Sequence, residues 1–145
     1  MHKRIGTRLF MGSGLFITAL IAATPSHAAQ PINGRWLTVE GKAIVEIASC
    51  GNGLCGRIAR IVKPTPGRPH TDTQNPDPKL RGKPLEGLAI LSGFSDVGAH
   101  WKGTIYDPES GKSYNSKVSR NGDGTLKVQG CIAFFCKTQI WTPMK

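Results

Sequence analysis

The sequence predicts an all-β protein, a small eight-stranded antiparallel up-and-down barrel. Short runs of β-branched and aromatic residues alternate with Gly, Pro, Asn and Asp clusters, and helical periodicity is almost absent. Eight such runs follow one another, mostly through short turns, as in a barrel whose interior holds side chains or one small ligand. Trp36 lies in the first run and Trp141 in the last. Closure pairs the first and last strands, which would bury both rings.

The start of the chain has the pattern of a secretory signal peptide. Basic residues precede an uncharged apolar stretch at 9–23, and the small residues Ser26 and Ala28 stand before a cut after Ala28. A membrane anchor is the alternative, but the stretch is shorter than the roughly 20 residues that span a bilayer. We therefore predict a signal peptide at 1–28 and one barrel domain at 29–145, in the periplasm or secreted, with no transmembrane segment in the mature chain.

The charge of the chain is strongly positive. The formal net charge is +10, and loss of Lys3, Arg4 and Arg8 with the signal peptide leaves +7. This charge favours acidic partners, but the basic residues are scattered, which is typical of a soluble surface. We expect a monomer with no nucleic acid partner, no metal and no cofactor.

Four cysteines form two pairs with equal spacing, Cys50 with Cys55 and Cys131 with Cys136. In an oxidising compartment this pattern predicts one disulfide within each pair, each across a tight loop. A zinc site and a redox pair are the alternatives, and the spacing does not exclude zinc.

The predicted strands follow the period-two pattern. Alternation is clearest in the second run, through Ala43, Val45 and Ile47, and in the seventh, through Leu126 and Val128. Turn residues separate the runs, with Asn-Gly-Asp-Gly as the strongest hairpin signal. In chain order, we predict strands at 34–40, 42–48, 54–62, 85–94, 100–106, 113–120, 125–131 and 137–142.

A proline-rich segment, 63–84, interrupts this pattern and predicts a long loop with at most one helical turn. Its polar cluster consists of Asp72, Asn75, Asp77 and Arg81. Such residues either hold the loop across one barrel mouth or contact a polar ligand or calcium, although the usual calcium-loop pattern is missing.

Aromatic residues complete the candidate ligand site. We expect Trp36, Trp101, Tyr106 and Tyr114 to line the interior or its mouth, together with the polar cluster. His70 is expected to be a solvated loop residue. The tip between the second cysteine pair carries Phe134 and Phe135, which either contact a membrane or partner or fold down to cap the barrel.

Several motifs resemble the bacterial family called domain of unknown function 2147, over nearly the whole mature chain. They include Gly-Arg-Trp at 34–36, Asn-Pro-Asp-Pro-Lys-Leu-Arg at 75–81, Gly-Thr-Ile-Tyr-Asp-Pro at 103–108 and Gln-Ile-Trp-Thr at 139–142. The resemblance implies a secreted or periplasmic protein with a calycin-like barrel and no established biochemical activity.

The Gly-x-Trp start is also similar to the first motif of lipocalins, where the Trp packs at the barrel floor against a basic residue of the last strand. The family usually ends Trp-Thr-Arg, but here Pro143 follows Trp141 and Thr142. We expect Lys145 or Arg35 to take the place of the missing basic partner.

Three functions fit the sequence. The first is non-enzymatic binding of a small apolar or anionic amphipathic ligand. The second is an interaction module such as an inhibitor of an envelope enzyme, because Ser-Gly-Lys-Ser-Tyr at 110–114 is similar to a loop of periplasmic lysozyme inhibitors. The third, an enzyme using the polar cluster, ranks last because no nucleophile, base and orienting group can be named together.

Overall fold

A computed structural model describes residues 27–145. The predicted signal peptide, except for its last two residues, lies outside the described part of the chain. Among the described residues, no helix has the length and apolar character needed to cross a membrane.

Within 27–145, eight antiparallel strands form one closed barrel in chain order. The last strand pairs with the first, with Trp36 opposite Pro143 and Leu37 opposite Thr142, so the predicted up-and-down barrel is confirmed. The strands are β1 (Gly34–Leu37), β2 (Ala43–Cys50), β3 (Gly53–Ile61), β4 (Ala89–Asp96), β5 (Trp101–Asp107), β6 (Lys112–Arg120), β7 (Leu126–Ile132) and β8 (Phe135–Met144).

The predicted alternation places the expected residues inside the barrel. On β2, Ala43, Val45 and Ile47 are buried while Glu46 is exposed. The same pattern holds on β6 and β7, where neighbouring residues point in opposite directions across each strand. The buried apolar core is made of Ile32, Trp36, Ala43, Val45, Ile47, Leu54, Ile58, Ile90, Leu91, Phe94, Val118, Leu126, Val128 and Trp141.

All eight strands differ from the prediction by one residue or more at a boundary, and the first strand ends at Leu37 rather than at residue 40 because the 3-10 helix Val39–Gly41 follows it. The fourth strand begins at Ala89 rather than at Leu85, because the Leu85 N–H donates to the His70 carbonyl within the loop. Gly87 then turns the chain with a φ of 88°. The eighth strand begins earlier than predicted, at Phe135, which pairs with Ile132 across a tight turn.

The barrel has two ends, which we call the floor and the mouth. The floor carries the segment 29–33 and the turns β2–β3, β4–β5 and β6–β7. The mouth carries the β1–β2 connection with its 3-10 helix Val39–Gly41, the long loop 62–88, the β5–β6 turn and the β7–β8 turn. Chain direction alternates from strand to strand, so each end collects every second connection.

Both predicted disulfides are present. Cys50 and Cys55 join β2 to β3 at the floor, with Cα atoms 5.8 Å apart. Cys131 and Cys136 join β7 to β8 near the mouth, with Cα atoms 4.0 Å apart. All four sulfur atoms are paired, so none of them remains as a thiolate for zinc.

Candidate functional site

The mouth of the barrel holds a cavity of about 220 Å³. Its inner wall is apolar and comes from strand residues that face inward, with the buried ring of Trp141 among them. These wall residues are Ala43, Val45, Ile58, Ile61, Ile90, Ile105 and Trp141. The alternating pattern of the strands therefore builds the wall, and a ligand would meet carbon surface inside the barrel.

The rim of the cavity is polar and mainly basic. Lys42, Lys63, Arg68 and His70 contribute to it, against the carboxylates of Asp107 and Glu109. The Lys42 ammonium lies 3.4 Å from Glu40 and 3.7 Å from Glu109. The Glu109 carboxylate is the main reason that the pKa of Lys42 is raised, followed by Glu40. The ion pairs connect the β1–β2 connection to the β5–β6 turn across the mouth.

The long loop is held over the mouth by a buried carboxylate. Asp72 is fully buried and accepts hydrogen bonds from the Tyr106 hydroxyl at 2.8 Å and from the Asn75 amide at 2.7 Å. Burial, and then the bond to Asp72, raise the pKa of Tyr106 to about 12, so its hydroxyl keeps the proton that it donates at neutral pH. The paired donors compensate for the cost of burying the carboxylate.

Further contacts join the loop to itself and to the β5–β6 turn. The Asp77 side chain accepts from the Lys79 N–H at 3.0 Å and begins the 3-10 helix Pro78–Leu80. Arg81 donates to the Asn75 carbonyl at 2.8 Å. Arg68 donates to the Glu109 carbonyl at 3.1 Å. The structure thus brings the four residues of the polar cluster into one loop whose hydrogen bonds are largely internal.

The candidate aromatic residues occupy different ends of the barrel. Tyr106 lines the mouth cavity, whereas Trp36 is buried at the floor and donates to the Ile32 carbonyl at 2.9 Å. Trp101 also contacts the floor and donates to the Gln30 carbonyl at 2.9 Å. Tyr114 is half-buried on β6. Of the eight candidate ligand residues, only Tyr106 belongs to the cavity lining.

The cation at the floor is Arg120, and the expectation of Lys145 or Arg35 was wrong. The Arg120 guanidinium carbon lies 5.4 Å from the centroid of the Trp36 ring, and the same side chain donates to the Pro31 carbonyl at 3.2 Å. Arg120 is the last residue of β6. The expectation was based on the residues that follow Trp141 at the end of β8, and these residues do not indicate Arg120.

The β7–β8 tip is exposed. Phe134 and Phe135 are 98% and 84% exposed, and the neighbouring Ile132 is 66% exposed. These three residues, which we call the aromatic tip, do not fold down over the cavity. Residues 135–141 of β8 continue beyond the end of β1, so the tip lies about 13 Å past Gln139 of the cavity wall.

Comparisons with known proteins agree with this architecture. Residues 34–143 match the family described as "Uncharacterized protein conserved in bacteria (DUF2147)". No curated protein matches the chain. A solved structure described as "Protein HP1028 from the human pathogen Helicobacter pylori belongs to the lipocalin family" is similar, with 25% sequence identity and a TM-score of 0.69. The match covers 79% of this chain and 84% of that one, so the barrel is lipocalin-like.

Proposed function

We propose that this chain, which belongs to the bacterial family DUF2147, is an exported, non-enzymatic binding protein for a small amphipathic ligand. The mouth cavity carries the proposal. Its wall is apolar and its rim holds Lys42, Lys63 and Arg68 against two carboxylates. A ligand with an apolar chain and one anionic group would match both parts.

The size of the cavity limits the ligand. The volume of about 220 Å³ is below the roughly 300–1,000 Å³ of typical small-molecule sites. We infer that a short acyl chain or one ring enters the barrel, while the anionic group stays at the rim. The filled floor sets this limit, because Trp36 and Phe94 are buried below the cavity.

Other features support an exported binding protein over an enzyme. Two disulfides are typical of oxidising compartments. Both oxygens of the buried Asp72 accept hydrogen bonds from neighbouring side chains. Within residues 27–145, no three His, Cys, Asp or Glu side chains converge as they would around a metal ion.

The test fills the cavity with one ring. Ala43→Phe puts a ring into the wall, whereas Ala48→Phe puts the same ring on the exposed face of the same strand. Binding of decanoate is followed by tryptophan fluorescence. We expect decanoate to bind at least about tenfold more weakly to Ala43→Phe, a loss of roughly 1.4 kcal/mol in binding free energy. Ala48→Phe should bind as the unmodified protein does, and circular dichroism should show both variants folded. Equal affinities for both variants would exclude the cavity as the binding site.

A second measurement tests the rim. Decanol has the same chain as decanoate without the charge, so Lys63→Gln should weaken decanoate and leave decanol unchanged. High salt should weaken decanoate in the same selective way, since the rim is exposed. If decanol and decanoate respond equally, the rim charges do not recognise the ligand.

The aromatic tip favours a second function, a protein-interaction module. An exposed pair of aromatic rings is the kind of anchor that binding partners bury. The inhibitor-like loop is less suited to that role, because the Ser110 hydroxyl donates to Asp107 at 2.7 Å and the Gln74 carbonyl covers Gly111. Lysozyme assays with the unmodified protein and with Phe134→Ser test the interaction function. Inhibition that depends on Phe134 would favour this function over ligand binding.

A further inference from the structure

The backbone nitrogen of Ala29 meets a carboxylate at the floor. It lies 3.0 Å from Oδ1 and 3.0 Å from Oδ2 of Asp96. One amide N–H points well at one oxygen, whereas an ammonium group has three donors and can satisfy two oxygens at once. The geometry around Asp96 is therefore better suited to an amino group than to a peptide N–H.

Ala29 is also the residue at which the chain becomes part of the barrel. His27 and Ala28 are exposed, whereas Ala29 is buried. After it, three successive carbonyls accept side-chain donors of the floor: Gln30 from Trp101, Pro31 from Arg120 and Ile32 from Trp36. The anchored segment thus begins at the residue that the sequence predicts as the first of the mature chain.

In the described part of the chain, Asp96 forms hydrogen bonds but no ion pair. Among residues 27–145, no ion pair joins Asp96 to a Lys, Arg or His side chain. The N–H groups of Gly98 and then Ala29 hold the pKa of Asp96 below its usual range, so the carboxylate is charged at neutral pH. A charged carboxylate at the floor would attract the ammonium group that processing after Ala28 would create on Ala29.

We propose that the α-amino group of Ala29, released by hydrolysis of the Ala28–Ala29 bond, forms an ion pair with Asp96 that completes the floor. Water supplies the hydroxyl to the Ala28 carbonyl carbon and a proton to the Ala29 nitrogen, which takes up a second proton to become an ammonium. The leaving fragment carries the new Ala28 carboxylate. The proposal depends on processing after Ala28 and is independent of ligand binding at the mouth.

The first test identifies the end of the chain. The 145-residue chain is expressed in a bacterium, and the exported protein is purified. Its intact mass should correspond to a chain that begins at Ala29 and contains two disulfides. A different first residue would overturn the proposal.

The second test separates the charge from the hydrogen bond. Asp96→Asn keeps an acceptor oxygen without the charge, and acetylation of the Ala29 amine keeps an N–H without the charge. Melting temperatures of the four combinations form a double-mutant cycle. Asp96→Asn should lower the melting temperature of the free-amine chain by about 3 °C, in the range of a partly exposed ion pair.

In the acetylated chain the same substitution should have less than half of that effect, and 1 M salt should reduce the difference between the chains. Equal losses in both chains, unaffected by salt, would show an ordinary hydrogen bond and overturn the ion pair. Asp96 is exposed at the end of β4, and acetylation leaves an N–H on the Ala29 nitrogen, so each combination is expected to fold.

Discussion

The floor and the mouth are ends of the same eight strands but are closed in different ways. At the floor, large inward side chains such as Trp36 and Phe94 fill the barrel, and the segment 29–33 covers them through hydrogen bonds from Trp101 and Arg120. At the mouth, smaller side chains such as Ala43 and Val45 leave a cavity, and a polar loop lies over it. The size of the inward-facing side chains, rather than the strand pairing, decides which end of the barrel is filled and which end contains a cavity.

Removing the central ring of the floor tests this difference most strongly. Trp36→Ala deletes a buried ring together with its hydrogen bond to Ile32 and its contact with Arg120. We expect a loss of about 3–5 kcal/mol in the free energy of unfolding by urea. Phe135→Ala, an aromatic truncation at the mouth, should change it by less than about 0.5 kcal/mol because the ring is exposed. Similar losses for both would mean that the tip is as firmly packed as the floor.

Removing one disulfide at a time compares the floor with the mouth directly, since each disulfide closes a loop with a sequence separation of five. In the chain-entropy description, replacing either pair by alanine costs about 2 kcal/mol. Urea unfolding of Cys50→Ala/Cys55→Ala and Cys131→Ala/Cys136→Ala measures both. A clearly smaller loss for the mouth pair would show that the projecting hairpin is already held by its strand pairing.

The loop over the mouth should depend on the Tyr106 hydroxyl. Tyr106→Phe leaves Asp72 with one donor fewer, and we expect a loss of about 1.5 kcal/mol at pH 7. The folded pKa of Tyr106, about 12, is above its unfolded value of roughly 10. This contribution to stability is therefore complete below pH 10 and is lost as the pH rises towards 12.

Melting temperatures of the unmodified protein and Tyr106→Phe between pH 7 and 12 test this. The difference between the two proteins should shrink above pH 10. A constant difference over the whole range would mean that the hydroxyl does not stabilise the loop through its proton.

The smallest effect is expected in the filled half of the barrel. Ser116 is fully buried between Gly103 and Gly130 of the neighbouring strands, and its hydroxyl finds no hydrogen-bond partner within residues 27–145. Ser116→Ala should leave the free energy of unfolding unchanged or raise it by up to about 1 kcal/mol. Ser113→Ala, exposed on the same strand, is the matched control. A loss at Ser116 would indicate that a buried water satisfies the hydroxyl.

The sequence was sufficient for the barrel but not for its cavity. Period-two runs and glycine turns are local signals, and they predicted eight strands and the inward face of β2 correctly. Both disulfides were predicted from the spacing of the cysteines and from the predicted export, and each pair closes one hairpin.

The cavity wall and the floor contacts depend on closure, which joins residues that are far apart in sequence. Arg120 reaches Trp36 only because β6 ends and β1 begins at the floor, and Ile58 and Trp141 line one cavity only because the barrel closes. The sequence could mark Trp36 and Tyr106 as aromatic residues of strands, but their height along the barrel is set by the strand register. That register places Trp36 at the floor and Tyr106 at the mouth.

The long β8 strand has one further consequence. Because it carries the aromatic tip past the end of β1, a surface that covers Phe134 and Phe135 lies at the same end of the barrel as the mouth cavity. Docking of a partner on the tip and exchange of the proposed ligand with the surrounding water would then compete for the same end of the molecule.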